Sequence, residues 1–563
     1  MTMASLKKLI LSTICALSLT ASTIAKDHLV SQRKLSKRFI DSEGHYNISF
    51  YHINDVHAHL DEFSSSGTDC TRPERGCFGG YARVQSVLKE TRPSHSDSLL
   101  LNVGDEFQGT MFFSFYGGQK IAETLNQLGF DGMTLGNHEW DKGDDHLGEF
   151  LNNLTFPIVS ANVFSDNEKL NKTIKPFHIY EKYQLAVIGV TTETTPSISK
   201  PGPGTIFTDP IKAVQDTIDL IRSTTDITRI AAITHIGYEE DQRLARETTG
   251  LHLIMGGHSH TPLGDFEGAE GPYPTIIKNK DGDEVFVVTA WRWGTYLGYI
   301  DVTYDVDGKI LEYHGAPIHL NNQTKQDPQL QAQIKEWRKP FEAFAGEEVG
   351  LSNVELDETL CQTQECLLGD FITDAMLDYR LNSSTPETAP AFAITNAGGI
   401  RATIDAGIVT RGEVLTAFPF GNAIVEVPLS GEVIWATLEG IIAKVNKNNG
   451  KPVTSFLQVS RGIKIEYSSN AANETKLVSV TIGDSPLDLD AEYKVVTIDF
   501  LAGGGDNFFS PPLTNFVTLD TLDEVLIEYI RAQSPIGIAL DGRIKTVSAC
   551  RRKRRVGARK PSS

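Results

Sequence analysis

At 563 residues the chain is too long for a single ordinary core, so two domains with extensions are expected. Its 40% hydrophobic and 22% charged composition is that of a soluble globular protein, and a formal net charge of −20 argues against a general nucleic-acid-binding surface. A small anionic substrate would need a local patch of metals and arginines to overcome that field.

In chain order, Lys7-Lys8 precede a short apolar run over residues 9–19, and Thr23-Ile24-Ala25 offers a cleavage site. The run falls short of the about 20 residues a membrane span requires, so residues 1–25 read as a secretory signal. Lys37-Arg38 has the form of a dibasic processing site. Residues 39–325 alternate apolar strand-like runs with helical stretches, as an α/β layered domain does. Among the helices, residues 118–128 place Ile121, Leu125 and Leu128 on one face, and Asp209-Pro210 opens another as N-cap and first helical residue. Residues 327–344 form a polar helical stretch with few apolar positions, read as an interdomain helix or linker over 326–348 and the place to seek a hinge. A second α/β unit spans 349–547, and the basic stretch 548–563 reads as a disordered tail with no lipid-anchor signal.

Cysteine usage fits an oxidising compartment. Cys70 with Cys77 and Cys361 with Cys366 are the simplest local disulfides, while Cys15 leaves with the signal and Cys550 is left over. Sequons at Asn153, Asn171, Asn322, Asn382 and Asn473 fit secretion; a sixth, Asn47, lies too close to the first ligand motif to suit a bulky glycan.

The most informative feature is a series of polar motifs, each following a short β-prone run at 48–53, 98–103, 133–135, 230–233 and 251–255. They are Asn54-Asp55-Val56-His57, Gly104-Asp105, Gly136-Asn137-His138-Glu139, Thr234-His235 and Gly256-Gly257-His258-Ser259-His260. Loops leaving the carboxyl ends of strands are where α/β sheets bind ligands. Two divalent ions need a shared carboxylate, for which Asp105 is the natural choice, with Asp55, His57, Asn137, His235, His258 and His260 completing their shells. His138 and Asp141 stand three apart at an expected helix start, so their side chains can meet. Glu139 reads as a structural support, and His59 as a local hydrogen-bonding residue near the substrate.

These motifs resemble the calcineurin-like metallophosphoesterases, and with the second half they resemble the 5′-nucleotidase family from about residue 48 to 547. The resemblance implies a four-layer α/β/β/α metallophosphoesterase domain followed by a smaller mixed α/β nucleotide-recognition domain. It implies a first metal on Asp55, His57, Asp105 and His260, a second on Asp105, Asn137, His235 and His258, and a catalytic dyad of His138 and Asp141. Zinc suits the imidazole-rich shell, with Mn, Co or Mg as other occupants.

In the second half, residues 391–395 read as a strand leading into Asn396-Ala397-Gly398-Gly399-Ile400-Arg401. Phe418-Pro419-Phe420-Gly421-Asn422 and Gly503-Gly504-Gly505-Asp506-Asn507-Phe508 follow. By resemblance to the family's motifs, Phe420 and Phe508 would sandwich the base, Asp506 would accept from the ribose, and Asn396 and Arg401 would hold the substrate. The family's further phosphate-binding arginine has only Arg380 as its nearest counterpart, slightly out of register. The expected function is a secreted 5′-nucleotidase acting on nucleoside 5′-monophosphates such as AMP, with no nucleic-acid polymer or membrane anchor, and with oligomeric state open. The alternatives are an apyrase-like or nucleotide-sugar hydrolase, and a non-catalytic nucleotide binder.

Overall fold

The computed structural model describes residues 44–547 apart from 66, 71–72, 386–387, 470–474 and 514–515. The signal, the dibasic site, Cys15, Cys550, Asn473 and the basic tail lie outside the described residues. Two sheets form the first half. An eight-stranded sheet has the parallel strands Tyr46–Ile53, Ser98–Asn102 and Gly132–Met133 at its centre. A six-stranded sheet carries Leu185–Thr191, Arg229–His235, Leu253–Gly256 and Glu284–Thr289 in parallel.

Three apolar clusters show how these layers stack. Ile48, Phe50, Leu99 and Leu101 of one sheet meet Val187, Ala231, Ile233 and Leu253 of the other. Tyr51, Ile53 and Leu100, on the opposite face of the first sheet, pack beneath Ile121, Leu125 and Leu128 of helix Gln119–Leu128. Ile188, Ile230 and Ile254 pack beneath Val214 and Ile218 of helix Pro210–Thr224, which Asp209 caps through the Lys212 amide. Strands covered on both faces must be apolar at nearly every position, which explains the unbroken runs in the sequence. The result is the expected α/β/β/α order.

The polar reading of residues 327–344 needs correction. Helix Pro328–Ala345 buries Leu330, Ile334, Trp337, Phe341 and Ala345, a stripe at spacings of four and three that docks on the first half. The Phe341 ring stands 5.2 Å from Phe112, and the Tyr116 hydroxyl donates to the Trp337 carbonyl at 2.8 Å. Lys89 pairs with Asp327 at 2.6 Å and Arg338 with Asp69 at 2.6 Å.

The second half is built on a five-stranded mixed sheet in the order Leu457–Val459, Phe392–Asn396, Glu492–Ile498, Ala423–Ser430 and Val517–Thr521. A four-stranded sheet lies beside it, and helices Leu367–Leu381, Gly431–Ile442 and Leu522–Gln533 enclose one continuous apolar core. Disulfides join Cys70 to Cys77 and Cys361 to Cys366. Asn153, Asn171, Asn322 and Asn382 are exposed, whereas Asn47 lies half-buried in a strand and donates to Thr303. Among the described residues, no helix is long and apolar enough to cross a membrane.

Candidate metal centre and nucleotide site

Each ligand motif leaves the carboxyl end of a parallel strand. Asp55 and His57 follow Ile53, Asp105 follows Asn102, Asn137 follows Met133, His235 ends its strand, and His258 and His260 follow Gly256. The loops turn sharply: Asp55, His57, Asp105, His258 and His260 all have φ between 50° and 83°. Left-handed backbone at a residue with a side chain costs on the order of 1–3 kcal/mol, so the surroundings must hold it there. Hydrogen bonds between the loops do so. The Asp55 amide donates to the Gly104 carbonyl at 3.0 Å and the His57 amide to that of Asp105 at 2.9 Å. The His258 amide donates to the Asp55 carboxylate at 3.0 Å.

The side chains converge in two groups. Asp55, His57 and His260 present ligand atoms within 4.8 Å of one another, as do Asp105, His235 and His258. The groups adjoin, with His235 Nε2 3.0 Å from Asp105 and 3.8 Å from Asp55. His57 Nε2 lies 3.9 Å from Asp105 and 3.0 Å from His260 Nε2. The remote ring nitrogens are anchored, His57 Nδ1 on the Phe107 carbonyl at 3.3 Å and His235 Nδ1 on the Val103 carbonyl at 2.8 Å. Anchoring Nδ1 leaves Nε2 free for a cation. His235 Nε2 and Asn137 Oδ1 are buried without a hydrogen-bond partner. An imidazole nitrogen 3.0 Å from a carboxylate is spaced as two ligands of one ion are. Two divalent ions therefore fit this donor set.

Without a metal, the ligand groups act strongly on one another. Burial works against a charged Asp105, yet His235 and His138 hold its carboxyl well below the usual range. Burial also works downward on His235, but Asp105 and Asp55 raise it to about 10. Glu139 is fully buried, and burial followed by the nearby Asp105 charge raises it to about 7. Its carboxylate accepts the amides of Gly136 at 2.6 Å, Glu106 at 2.7 Å, Asp105 at 3.0 Å and Phe107 at 3.3 Å. It thereby fastens the Asp105 loop to the Asn137 loop.

His138 begins the 3-10 turn His138–Trp140, and its Nδ1 lies 2.8 Å from Asp141 Oδ2. Ser199 donates to the other Asp141 oxygen at 2.8 Å. Burial lowers the His138 pKa, but Asp141 and Asp105 outweigh it and raise the net value. His59 is held locally: its two nitrogens meet the Val56 and Gly67 carbonyls and its ring stacks on Trp293. It is the local hydrogen-bonding residue expected, and it borders a small void that Gln108 and Arg401 also line.

A cavity of about 820 Å³ joins the two halves at this point, lined by Asp105, Asn137, His138, His258 and His260 on one side. Asn396, Arg401, Phe420 and Asp506 line it from the other. The Phe420 ring stacks on His138 at 5.7 Å, and the Arg401 guanidinium lies 5.9 Å from the Phe420 centroid. Asn396 and Thr454 donate to the two oxygens of Asp506 at 2.6 and 2.7 Å, while Asn396 Oδ1 is buried without a partner.

Phe508 is the main correction. It is 2% exposed and belongs to the second half's core, beside Phe509 and Leu501. The left-handed pair Asp506 (φ 52°) and Asn507 (φ 56°) turns the chain so that Asp506 meets the cavity and Phe508 the interior. Phe500 lines the cavity instead, resting so close to Gly505 that a Cβ there would come within 2.5 Å of the ring. Arg380 is also elsewhere, paired with Glu426 at 3.0 Å. Residues that sequence reasoning passed over include Gln108, Gln362 and Ser455 in the cavity wall. None belongs to a charged motif, although Gln362 stands inside the Cys361–Cys366 loop and Phe500 at a strand exit, both positions that favour exposure.

Comparison with known proteins gives the same answer. Residues 48–262 match the calcineurin-like phosphoesterase family and residues 348–511 the 5′-nucleotidase C-terminal domain. The chain is 32% identical to a snake venom 5′-nucleotidase of Naja atra, covering 89% of this chain and 99% of that one. It is 32% identical to a 5′-nucleotidase of Homo sapiens, over 89% and 91% of the two chains. A 5′-nucleotidase precursor structure from Thermus thermophilus superposes with a TM-score of 0.81 at 33% identity, over 89% and 99% of the chains. A metallophosphoesterase half with its metal-ligand cluster, and a second half closing the same cavity, make this chain a member of the 5′-nucleotidase family.

Proposed function

We propose that this chain is a secreted 5′-nucleotidase that hydrolyses nucleoside 5′-monophosphates, AMP among them, to nucleoside and phosphate. The observation that carries the reading is that the metal-ligand cluster and the nucleotide-facing groups line one cavity. Residues 39–325 would form the metallophosphoesterase domain, 326–348 the connecting helix and 349–547 the recognition domain.

Asp55, His57, Asp105 and His260 would hold one divalent ion, and Asp105, Asn137, His235 and His258 the other. Zinc suits a shell of imidazoles and carboxylates completed by one neutral carboxamide. When bound, the pair supplies Lewis acidity at the phosphoryl group and lowers the pKa of a water molecule. The remaining work falls to the chain itself. Phe420 and Phe500 border the space for the base and can stack on its faces. Each Asp506 oxygen retains a lone pair beyond its bond to Asn396 or Thr454, so it can accept from ribose hydroxyls. Arg401 spends one donor on the Gly398 carbonyl at 3.3 Å and keeps the others for phosphate. With Nδ1 engaged by Asp141, His138 has Nε2 free to stabilise negative charge on the phosphoryl oxygens.

Exposed sequons, two disulfides and the sequence of residues 1–25 support secretion and glycosylation. The test is phosphate release from AMP, ADP, ATP and UDP-glucose, with and without chelator. AMP turnover that a chelator abolishes is expected. Turnover confined to di- and triphosphates or the nucleotide sugar would overturn the monophosphate assignment, and binding without turnover would indicate a non-catalytic binder.

A further inference from the structure

Gln108 lies in the loop that carries Asp105, shortly before helix Met111–Tyr116. It is 2% exposed, and neither its carboxamide oxygen nor its nitrogen has a hydrogen-bond partner. Leaving a buried polar group unpaired costs on the order of 1–3 kcal/mol, and here both ends are unpaired. The side chain lines the large cavity with Asp105, Asn137, His138 and Arg401. It also walls an adjoining void of about 10 Å³ between His57 and Arg401. The backbone cannot withdraw it. The Phe107 carbonyl holds His57 Nδ1, the Glu106 carbonyl accepts the Ala58 amide at 2.9 Å, and Gly109 lies against His57 so closely that a Cβ would come within 2.4 Å of its carbonyl oxygen.

A locked, buried amide with both ends unmet, aimed into a binding cavity, is completed by what the cavity binds. Its neighbours define that ligand. Arg401 and His138 are donors to anionic oxygen, and the carboxylate–imidazole cluster is built for cations that share such oxygens. A neutral N–H donor in the same wall adds a hydrogen bond to a phosphoryl group without changing the charge balance. We propose that Gln108 is a further phosphate-positioning residue, whose carboxamide N–H donates to a non-bridging phosphoryl oxygen of the nucleotide held by Arg401. This rests on the nucleotidase reading above.

The test uses Gln108→Met, which keeps the volume but not the hydrogen bond, and Gln108→Glu, which keeps the shape but brings a charge. For each, kcat and KM for AMP, competitive inhibition by inorganic phosphate, bound-metal content and thermal melting are measured against wild type. Gln108→Met is expected to keep its metals and its melting temperature. Its kcat/KM should fall about 10- to 100-fold and its inhibition constant for phosphate should rise in parallel, as for a lost bond to a charged group. Gln108→Glu, which repels phosphate, should fall further with its metals retained. A kcat/KM and a phosphate inhibition constant within about twofold of wild type in either variant overturn the proposal. So does loss of bound metal, which would make Gln108 part of the metal centre. Wild-type protein that does not turn over AMP overturns the nucleotidase reading itself, whereas active wild type with an indifferent Gln108→Met overturns this inference alone.

Discussion

Glu139→Gln isolates the fastening between the two loops that carry Asp105 and Asn137. One Glu139 oxygen accepts the Asp105 and Gly136 amides, the other those of Glu106 and Phe107, at 2.6–3.3 Å. Glutamine retains a single acceptor oxygen, so its NH₂ must face two backbone N–H donors whichever way it turns. Two charge-assisted bonds at about 1.5–3 kcal/mol each are lost, and removing the buried charge returns part of that sum, leaving about 3 kcal/mol of destabilisation. Burial raises the Glu139 carboxyl to about 7, so the comparison belongs at about pH 8, where the wild-type group is ionised. Urea titration of the metal-free proteins measures the stability change, and equilibrium dialysis measures the accompanying loss of metal affinity. An unfolding free energy within about 0.5 kcal/mol of wild type, with unchanged metal retention, would refute the reasoning, since surface-like substitutions stay within that margin.

Replacing Phe420 or Phe500 with Ala should raise KM for AMP about 5- to 150-fold, the equivalent of about 1–3 kcal/mol of lost stacking. Phe508→Ala should instead cost about 3–5 kcal/mol of stability with KM unchanged, and steady-state kinetics beside denaturation curves separate the two outcomes. Asp141→Asn removes the neighbouring charge that raises the His138 pKa, so kcat should fall about 10- to 1000-fold with metal content and KM near wild type. Asp241 is fully buried, its Oδ1 accepts the Thr234 hydroxyl at 2.5 Å, Oδ2 has no partner, and burial raises its pKa from 3.8 to about 8. The folded state then holds more protons than the unfolded state between those values, so wild type loses stability as pH rises through that window. Asp241→Asn removes this slope, and melting at about pH 5 and about pH 9 should show the variant gaining on wild type at the higher pH; an identical difference at both would contradict the assignment.

The convergence of the candidate metal ligands was legible in the sequence because its physics is local. Each ligand follows a buried strand at short spacing, and parallel strands in register bring their carboxyl ends together, so Asp55, Asp105 and Asn137 were bound to converge once the sheet formed. His138 and Asp141 were legible for the same reason, one helical turn apart. The second half was harder. In the run from Phe500 to Phe509 aromatics flank the glycines on both sides, and which ring faces the cavity depends on the left-handed turn at Asp506 and Asn507. That turn, together with the demand of the core for Phe508, is a tertiary property. Gln108 and Gln362 carry neither charge nor periodicity, so nothing in composition marks them. The helix Pro328–Ala345 was legible in principle: the spacing of Leu330, Ile334, Trp337 and Phe341 was present beneath the glutamines that drew a polar reading.

Counting bound ions tests the whole account most directly. Purified wild-type protein, saturated with Zn²⁺ or Mn²⁺ and freed of excess, should carry two divalent ions per chain by elemental analysis, and Asp105→Ala should lose the pair together with all AMP turnover. Wild type that retains no ion at saturating supply, or Asp105→Ala that keeps both ions and full activity, would contradict it.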